Sequence, residues 1–285
     1  MHGPATAPGT LYVVATPIGN LQDITLRALA VLKEVDSIAC EDTRQTRKLL
    51  DHHGITTRML SYHEHNEQER AVKLVEELKQ GRRVAVVTDA GMPGISDPGY
   101  RVITLAVEQG VPVVPIPGAS AFLSALVASG LPTDAFRFGG FLPSRRGERR
   151  SVLAGLLGAT ETQVFYEAPH RLLETLEDVV ETVGAYRYVV VAREVTKLHE
   201  EFLRGPVEKI LAELASRGEV RGEITLLIAK ADAASEPVVR KKGIQQRLEE
   251  VMREELLDEK AALKKVAKEF GLSKSEAYRR VQREK

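Results

Sequence analysis

Short β-branched runs alternate with amphipathic stretches along the first half of the chain, and no other feature limits the fold as much. Leu11-Tyr-Val-Val-Ala15, Ser37-Ile-Ala-Cys40, Arg83-Val-Ala-Val-Val-Thr88 and Val111-Pro-Val-Val-Pro-Ile116 are separated by helical patterns such as 24–35 and 67–80. Strands in this rhythm are joined by helical crossovers, which predicts an α/β domain built on a mostly parallel sheet. A second set of strands follows: Phe136-Arg-Phe, Gln163-Val-Phe-Tyr166, Tyr188-Val-Val-Val-Ala192, Glu201-Phe-Leu-Arg204 and Ile224-Thr-Leu-Leu-Ile-Ala229, with helices expected at 147–158, 169–183 and 206–216. Two of these strands leave no room for a helix between them, so the second domain is expected to contain antiparallel or mixed pairing.

Charge divides the chain further. The 285 residues carry 40 Lys and Arg and 40 Asp and Glu, which taken as a whole argues against a protein that coats a polyanion. Residues 240–285, however, hold 14 basic and 9 acidic residues, a net +5 that leaves the preceding body at −5. The small residues and lone proline of Ala231-Asp-Ala-Ala-Ser-Glu-Pro-Val-Val239 suggest a linker between them. The expected organisation is a flexible tail at 1–9, an α/β domain at 10–134, a second at 135–231, a linker at 232–242 and a basic helical segment at 243–285. In that last segment, a helix, a turn at Gly271 and a second helix capped by Ser273, with Glu276 three residues on, resemble a helix-turn-helix. The single cysteine, Cys40, excludes an internal disulfide and reads as a small buried hydrophobe in a reducing compartment. The first nine residues have neither a basic n-region nor an apolar h-region, so a cytoplasmic location is expected.

Three strands run into loops rich in Gly and Pro. Thr88-Asp-Ala-Gly-Met-Pro-Gly-Ile-Ser-Asp-Pro-Gly99 is the most pronounced, followed by Ala15-Thr-Pro-Ile-Gly-Asn-Leu-Gln-Asp-Ile-Thr25 and Pro115-Ile-Pro-Gly-Ala-Ser-Ala121. Loops at the carboxyl ends of parallel strands are where open α/β sheets bind ligands. Glycines there let the backbone approach a ligand, and prolines hold the loop in shape. Ser120, at a helix start, offers a hydroxyl beside exposed amides, which suits a carboxylate but equally suits a plain N-cap. Neither the P-loop pattern nor the Gly-x-Gly-x-x-Gly fingerprint occurs, which disfavours ATP and NAD.

Those loops, with Cys40-Glu-Asp-Thr-Arg44, Phe165-Tyr-Glu-Ala-Pro-His-Arg171, Ala192-Arg-Glu-Val-Thr-Lys197 and Gly222-Glu-Ile-Thr-Leu226, together resemble the ribosomal RNA small subunit methyltransferase I family of the tetrapyrrole methylase superfamily. The matching segments cover nearly all of residues 10–230. The resemblance implies a tetrapyrrole-methylase-like fold of two α/β domains with a cofactor cleft between them, S-adenosylmethionine in that cleft, and a homodimer. It also implies methylation of the ribose 2′-hydroxyl of the cytidine at position 1402 of small-subunit (16S) rRNA, with free rRNA or the 30S subunit as partner. Where the wider superfamily has a Gly-Asp-Pro core, Gly91, Met92 and Pro93 stand here, which removes a carboxylate and favours backbone contacts. By the same matching, the cofactor positions are Pro17; Gly91, Met92, Pro93 and Ile95; Ala119, Ser120 and Ala121; and Phe165, Tyr166 and Thr225.

A ribose hydroxyl is a weak nucleophile, so transfer needs in-line aim and usually a proton acceptor. Glu167, Glu194 and His170 are the leading candidates, with Glu41, Asp42 and Asp89 beside them; Arg193 or Lys197 would instead stabilise the developing alkoxide. His63-Glu-His65 lacks a third ligand cluster in sequence, so no metal is expected. Basic residues expected to meet RNA phosphates are Arg44, Arg47, Arg145, Arg146, Lys274, Arg279 and Arg280, although each run also suits a solvated surface. The alternatives are a methyltransferase of the same fold acting on a tetrapyrrole or other small acceptor, and a non-enzymatic nucleic-acid regulator built on the last helices.

Overall fold

The computed structural model describes residues 9–231, 251–252, 258–269, 276–277, 279 and 281. Two compact units, Met1–Ala231 and Asp232–Lys285, divide the chain. The first contains two five-stranded sheets.

In the first sheet, β1 (Leu11–Val14), β2 (Ser37–Cys40), β3 (Met59–Ser61), β4 (Val84–Val87) and β5 (Val113–Ile116) are all parallel, in the order β3-β2-β4-β1-β5. Helices α1 (Leu26–Glu34), α2 (Thr43–His52), α3 (Glu67–Lys79), α4 (Tyr100–Glu108) and α5 (Ala121–Ser129) alternate with the strands. Side chains of α3 and α4, such as Leu74, Leu78 and Val102, pack with Leu11, Val84 and Val86 on one face of the sheet. Ala28 and Leu32 of α1 and Leu50 of α2 pack with Ile38, Cys40 and Val87 on the other. Strands covered on both faces read as unbroken apolar runs, which is why the central β2 and β4 are buried at every residue. Pro112 and Pro115 flank Val113 and Val114 because β5 lies at the sheet edge, where a strand tolerates the missing amide donor.

The second sheet has β6 (Phe136–Phe141), β7 (Thr162–Glu167), β8 (Tyr188–Arg193), β9 (Glu201–Pro206) and β10 (Ile224–Ile228) in the order β6-β7-β10-β8-β9. Only β6 and β7 pair in parallel; β7-β10, β10-β8 and β8-β9 are antiparallel. Helices α6 (Arg146–Ala154), α7 (Leu172–Val183) and α8 (Val207–Arg217) follow in the chain. Leu153, Leu176 and Ile210 from these helices close one face of the sheet over Phe165, Val191 and Leu226. The other face, through Val164, Val190 and Leu227, meets Ala125 and Leu126 of α5. Helix α5 thus belongs to the first half by connection and to the second by packing.

In the second unit, α9 (Glu259–Glu269) begins at Asp258, whose carboxylate accepts from the Ala261 amide at 2.7 Å. Val251, Leu263, Val266, Ala277 and Val281 share a small core there. Arg279 is helical and exposed, whereas the proposed linker, Gly271, Ser273, Lys274 and Arg280 lie outside the described residues. Among the described residues, no helix is long and apolar enough to cross a membrane.

Candidate active site

Strand order builds the site. Because β2, β4, β1 and β5 are neighbours, the segments leaving their carboxyl ends lie side by side, although they come from positions near 41, 89, 17 and 120. The first and the longest of the Gly/Pro loops are tied together: the Thr16 amide donates to the Gly91 carbonyl at 2.9 Å, and the Gly91 amide returns a bond to the Thr16 carbonyl at 3.1 Å. The Thr16 hydroxyl also donates to the Thr88 carbonyl at 3.0 Å. Gly91 sits at φ 84°, in the left-handed region that glycine enters without strain.

These segments and the facing edge of the second sheet enclose a cavity of about 490 Å³, within the range of small-molecule sites. Its apolar lining comes from Ile18, Met92 and Ile95 in the loops of the first sheet and from Phe122 of α5 and Phe141 and Tyr166 of the second sheet. Ser120 and Ala121 line it at the start of α5, and the Ser120 side chain makes no capping bond with the helix. Thr225 pairs with Tyr166 across β10 and β7 and shares its face.

Of the residues that the resemblance offered for the cofactor, Gly91, Met92, Ile95, Ser120, Ala121, Tyr166 and Thr225 therefore line one cavity. Pro17, Pro93 and Ala119 stand next to lining residues without lining it. Phe165 does not reach it: alternation along β7 turns its ring into the opposite core with Leu142 and Leu226, and only 4% of it is exposed.

The three proposed bases fare differently from one another. Glu167 is fully engaged: Oε1 accepts from the Ala168 amide and the Arg171 guanidinium, both at 2.7 Å, and Oε2 accepts from the Thr175 hydroxyl at 2.7 Å. It lines the cavity, yet its carboxylate is committed to bonds that hold the start of α7. Glu194 lies outside the cavity, accepting from the Glu223 amide at 2.8 Å and from Lys197 at 2.9 Å. Partial burial works against its ionised form, but the Glu223 amide and Lys197 outweigh it and hold the carboxyl below its usual range. His170 is exposed in the 3₁₀ turn Pro169–Arg171, whose Pro169 lines the cavity while the histidine does not.

Carboxylates of a different set converge on the cavity. Glu41, Asp89, Asp97 and Glu223 all line it. Burial raises the Glu41 carboxyl, and the charge of Asp89 adds to the rise; Asp89 is itself raised, chiefly by burial. Asp97 is pushed up to about 7 by burial, then by the charges of Glu41, Asp89 and Glu223. Asp42 is not part of this group, since hydrogen bonds from Arg44 hold it at about 2. Asp97 and Glu223 both stand in segments that carry the resemblance, but neither was singled out there as a candidate base, and it is their place on the cavity that marks them.

The two halves also touch beside the cavity. Gly19 lies against Lys197: a Cβ on it would stand 2.3 Å from Lys197 Cγ, closer than real atoms approach. The Lys197 ammonium bridges Glu194 at 2.9 Å and Glu223 at 3.1 Å. Glu194 and Thr196 adopt φ of 53° and 68°, and Ser96 adopts 61°, so among the described residues each non-glycine residue held in the left-handed region is next to a cavity-lining residue or is itself one.

The basic residues separate as well. Arg44 and Arg47 stand on α2, which starts just after Glu41; Arg44 is 87% exposed even while bound to Asp42, and Arg47 pairs loosely with Asp51 at 3.8 Å. Arg145 is exposed beside Glu148. Arg146, though half exposed, donates to the buried Asp178 at 2.8 Å and reaches Glu181 at 3.5 Å, so its charge is already paired.

This architecture defines a class. A family model described as Tetrapyrrole (Corrin/Porphyrin) Methylases matches residues 10–211. Solved structures with the same fold include uroporphyrin-III-C-methyltransferase from Thermus thermophilus, with a TM-score of 0.54 at 20% identity over 78% of this chain and 94% of that one. Diphthine synthase gives a TM-score of 0.59 at 16% identity, over 80% and 93%.

Within that class, the chain belongs to the ribosomal RNA small subunit methyltransferase I family, and it is a methyltransferase. It is 50% identical to the protein of that name from Halalkalibacterium halodurans over 229 residues, 80% of this chain and 78% of the relative. It is 43% identical to the one from Synechocystis sp. over 270 residues, 95% and 96% of the two chains.

Proposed function

We propose that this chain transfers a methyl group from S-adenosylmethionine to the ribose 2′-hydroxyl of the cytidine at position 1402 of 16S rRNA, acting in the cytoplasm as a homodimer. The observation that carries this reading is one cavity, walled by residues from both sheets, in which apolar side chains, the start of α5 and several carboxylates come together. The residues suit the cofactor. The start of α5, where the Ser120 hydroxyl makes no capping bond, suits a carboxylate, Tyr166 and Phe141 supply aromatic rings for an adenine, and Glu41, Asp89 and Glu223 suit a cationic ligand. Bound there, S-adenosylmethionine supplies a methyl on a positively charged sulfur that leaves without acid assistance.

The chain's own contribution is aim and exclusion of water. The tie between Thr16 and Gly91 fixes two walls of the cavity relative to each other, and the Gly19–Lys197 contact brings the second sheet against them. Such positioning alone supplies much of the acceleration available to a bimolecular transfer. Arg44, Arg47 and Arg145 remain candidates for phosphate contact, with Lys274, Arg279 and Arg280 on the second unit.

Labelled-methyl transfer to 30S subunits from a strain lacking this protein, compared with transfer to free 16S rRNA, tests the reading. Label at the ribose of cytidine 1402 supports it. Label at another nucleotide, or only on an added tetrapyrrole, overturns it.

A further inference from the structure

The cavity holds one acidic side chain with nothing to do in the folded chain. Asp97 lines it from the end of the loop that follows β4, and among the described residues its carboxylate has no hydrogen-bond donor and no cation. Its companions are each accounted for. Asp89 accepts from the Asp42 amide at 3.1 Å, Glu41 accepts from the Asp89 amide, and Glu223 is paired with Lys197 at 3.1 Å. A half-buried carboxylate facing like charges is costly to the fold, so its persistence in a binding cavity points to a task met only when substrate is present.

We propose that Asp97 is the general base of the methyl transfer, taking the proton of the attacking ribose hydroxyl; the inference rests on the reading of this cavity as a ribose 2′-O-methylation site. Asp97 accepts the hydroxyl proton as the new bond forms between the 2′-oxygen and the methyl carbon. The carbon–sulfur bond breaks with its electron pair passing to sulfur, giving a neutral thioether, and the proton then leaves Asp97 for solvent. Atoms and charge balance with no further reactant.

The surroundings favour this carboxylate over its neighbours. The titratable groups facing Asp97 are Glu41, Asp89 and Glu223, with Tyr166 across the cavity, and none of them carries a positive charge. With its proton affinity raised to about 7, Asp97 is partly ionised at neutral pH yet basic enough to accept a proton, whereas an ordinary carboxylate is a far weaker base. The loop also places it on a stiff mount: Ser96 is held at φ 61° and Pro98 follows, its carbonyl accepting from the Gly94 amide at 3.2 Å.

The test uses the full chain with Asp97→Asn and Asp97→Ala. Single-turnover methylation of 30S subunits is followed across pH 5.5–9, S-adenosylmethionine binding is measured by calorimetry, and carboxyl NMR titration is carried out without cofactor. The expected result is a fall in the transfer rate of roughly 10²–10⁴-fold with cofactor affinity nearly unchanged. The wild-type rate should rise with pH and level off above about 7, Asp97→Asn should lose that limb, and a carboxyl resonance absent from Asp97→Asn should titrate near the same pH. Transfer by Asp97→Asn at close to the wild-type rate overturns the assignment, as does an acid limb that survives the substitution. A loss confined to cofactor affinity overturns it too, since Asp97 would then be a cofactor contact. Wild-type protein that methylates no rRNA ribose would instead remove the underlying function, an outcome read without any variant.

Discussion

Arg149 and Asp178 face each other with both side chains wholly out of water, joined by two bonds of 2.8 Å from the guanidinium Nε and Nη2 to Oδ2. Arg149 Nη1 is buried with no partner among the described residues. Removing Asp178 leaves the buried Arg149 with only Glu174, at 3.4 Å, and takes from Arg146 its shorter ion pair. Asp178→Ala should therefore lower stability by about 3–5 kcal/mol, while the double replacement Arg149→Met with Asp178→Leu should be far less harmful. Thermal melts of the three proteins check the order; a double variant no better than Asp178→Ala would show that the pair itself is the stabilising element.

The apolar cavity should lose its cofactor when it is filled. Ala121→Trp places an indole at the start of α5 and should weaken S-adenosylmethionine binding at least ~10-fold, the equivalent of roughly 1.4 kcal/mol, with little change in melting temperature. Isothermal calorimetry decides, and unchanged affinity would move the cofactor elsewhere.

Asp97 should give the protein an inverted acid response. Its proton affinity is raised on folding, so between about pH 4 and about 7 the folded chain binds more protons than the unfolded one. Stability from this group is present at low pH and is lost as pH rises through 7, opposite to a salt-bridged aspartate. Asp97→Asn should then melt a few degrees higher than the wild type at pH 8, with the gain fading towards pH 4. Melting curves at several pH values check the sign.

Gly19 and Lys197 should be coupled. A methyl at Gly19 collides with the Lys197 stem, so Gly19→Ala should disturb cofactor binding, and Lys197→Ala should relieve part of the damage. A double-mutant cycle on melting temperature and cofactor affinity should give a coupling of about 0.5–3 kcal/mol. Strict additivity would mean the two loops do not bear on each other in solution.

Phosphate binding should fall to arginines whose partners are themselves exposed to solvent rather than to one held by a buried carboxylate. Replacing Arg44 and Arg47 with alanine should raise KM for the 30S subunit and lower the salt dependence by about one unit for each phosphate that is no longer neutralised. Arg146→Ala, whose guanidinium is spent on Asp178, should lower the melting temperature and leave the salt slope unchanged.

What could be read in advance depended on how local each signal was. β1, β2, β4 and β5 were legible because buried parallel strands are short apolar runs, while Met59–Ser61 was missed, having three residues and no β-branched side chain. Gly155 stops α6 earlier than the helical pattern suggested. The cavity loops were legible from their glycines and prolines. Which side chain of a motif faces the cavity was not, because that is set by strand alternation and cross-strand register: Tyr166 opposite Thr225 faces in, and Phe165 faces away. Glu167 looked like chemistry because it sits in a motif, but its bonds to Arg171 and Thr175 make it a brace. Asp97 also sits in a motif loop but did not stand out there, because its raised proton affinity depends on burial and on carboxylates 8 to 126 positions away in sequence.

The reciprocal backbone bonds between Thr16 and Gly91 have a practical meaning for anyone exchanging parts between relatives. Transplanted singly, either loop would arrive without the partner that shapes it, and a functional chimera should require both from the same donor. Seventy-five positions separate them in the chain, yet for inheritance and for engineering they form one component.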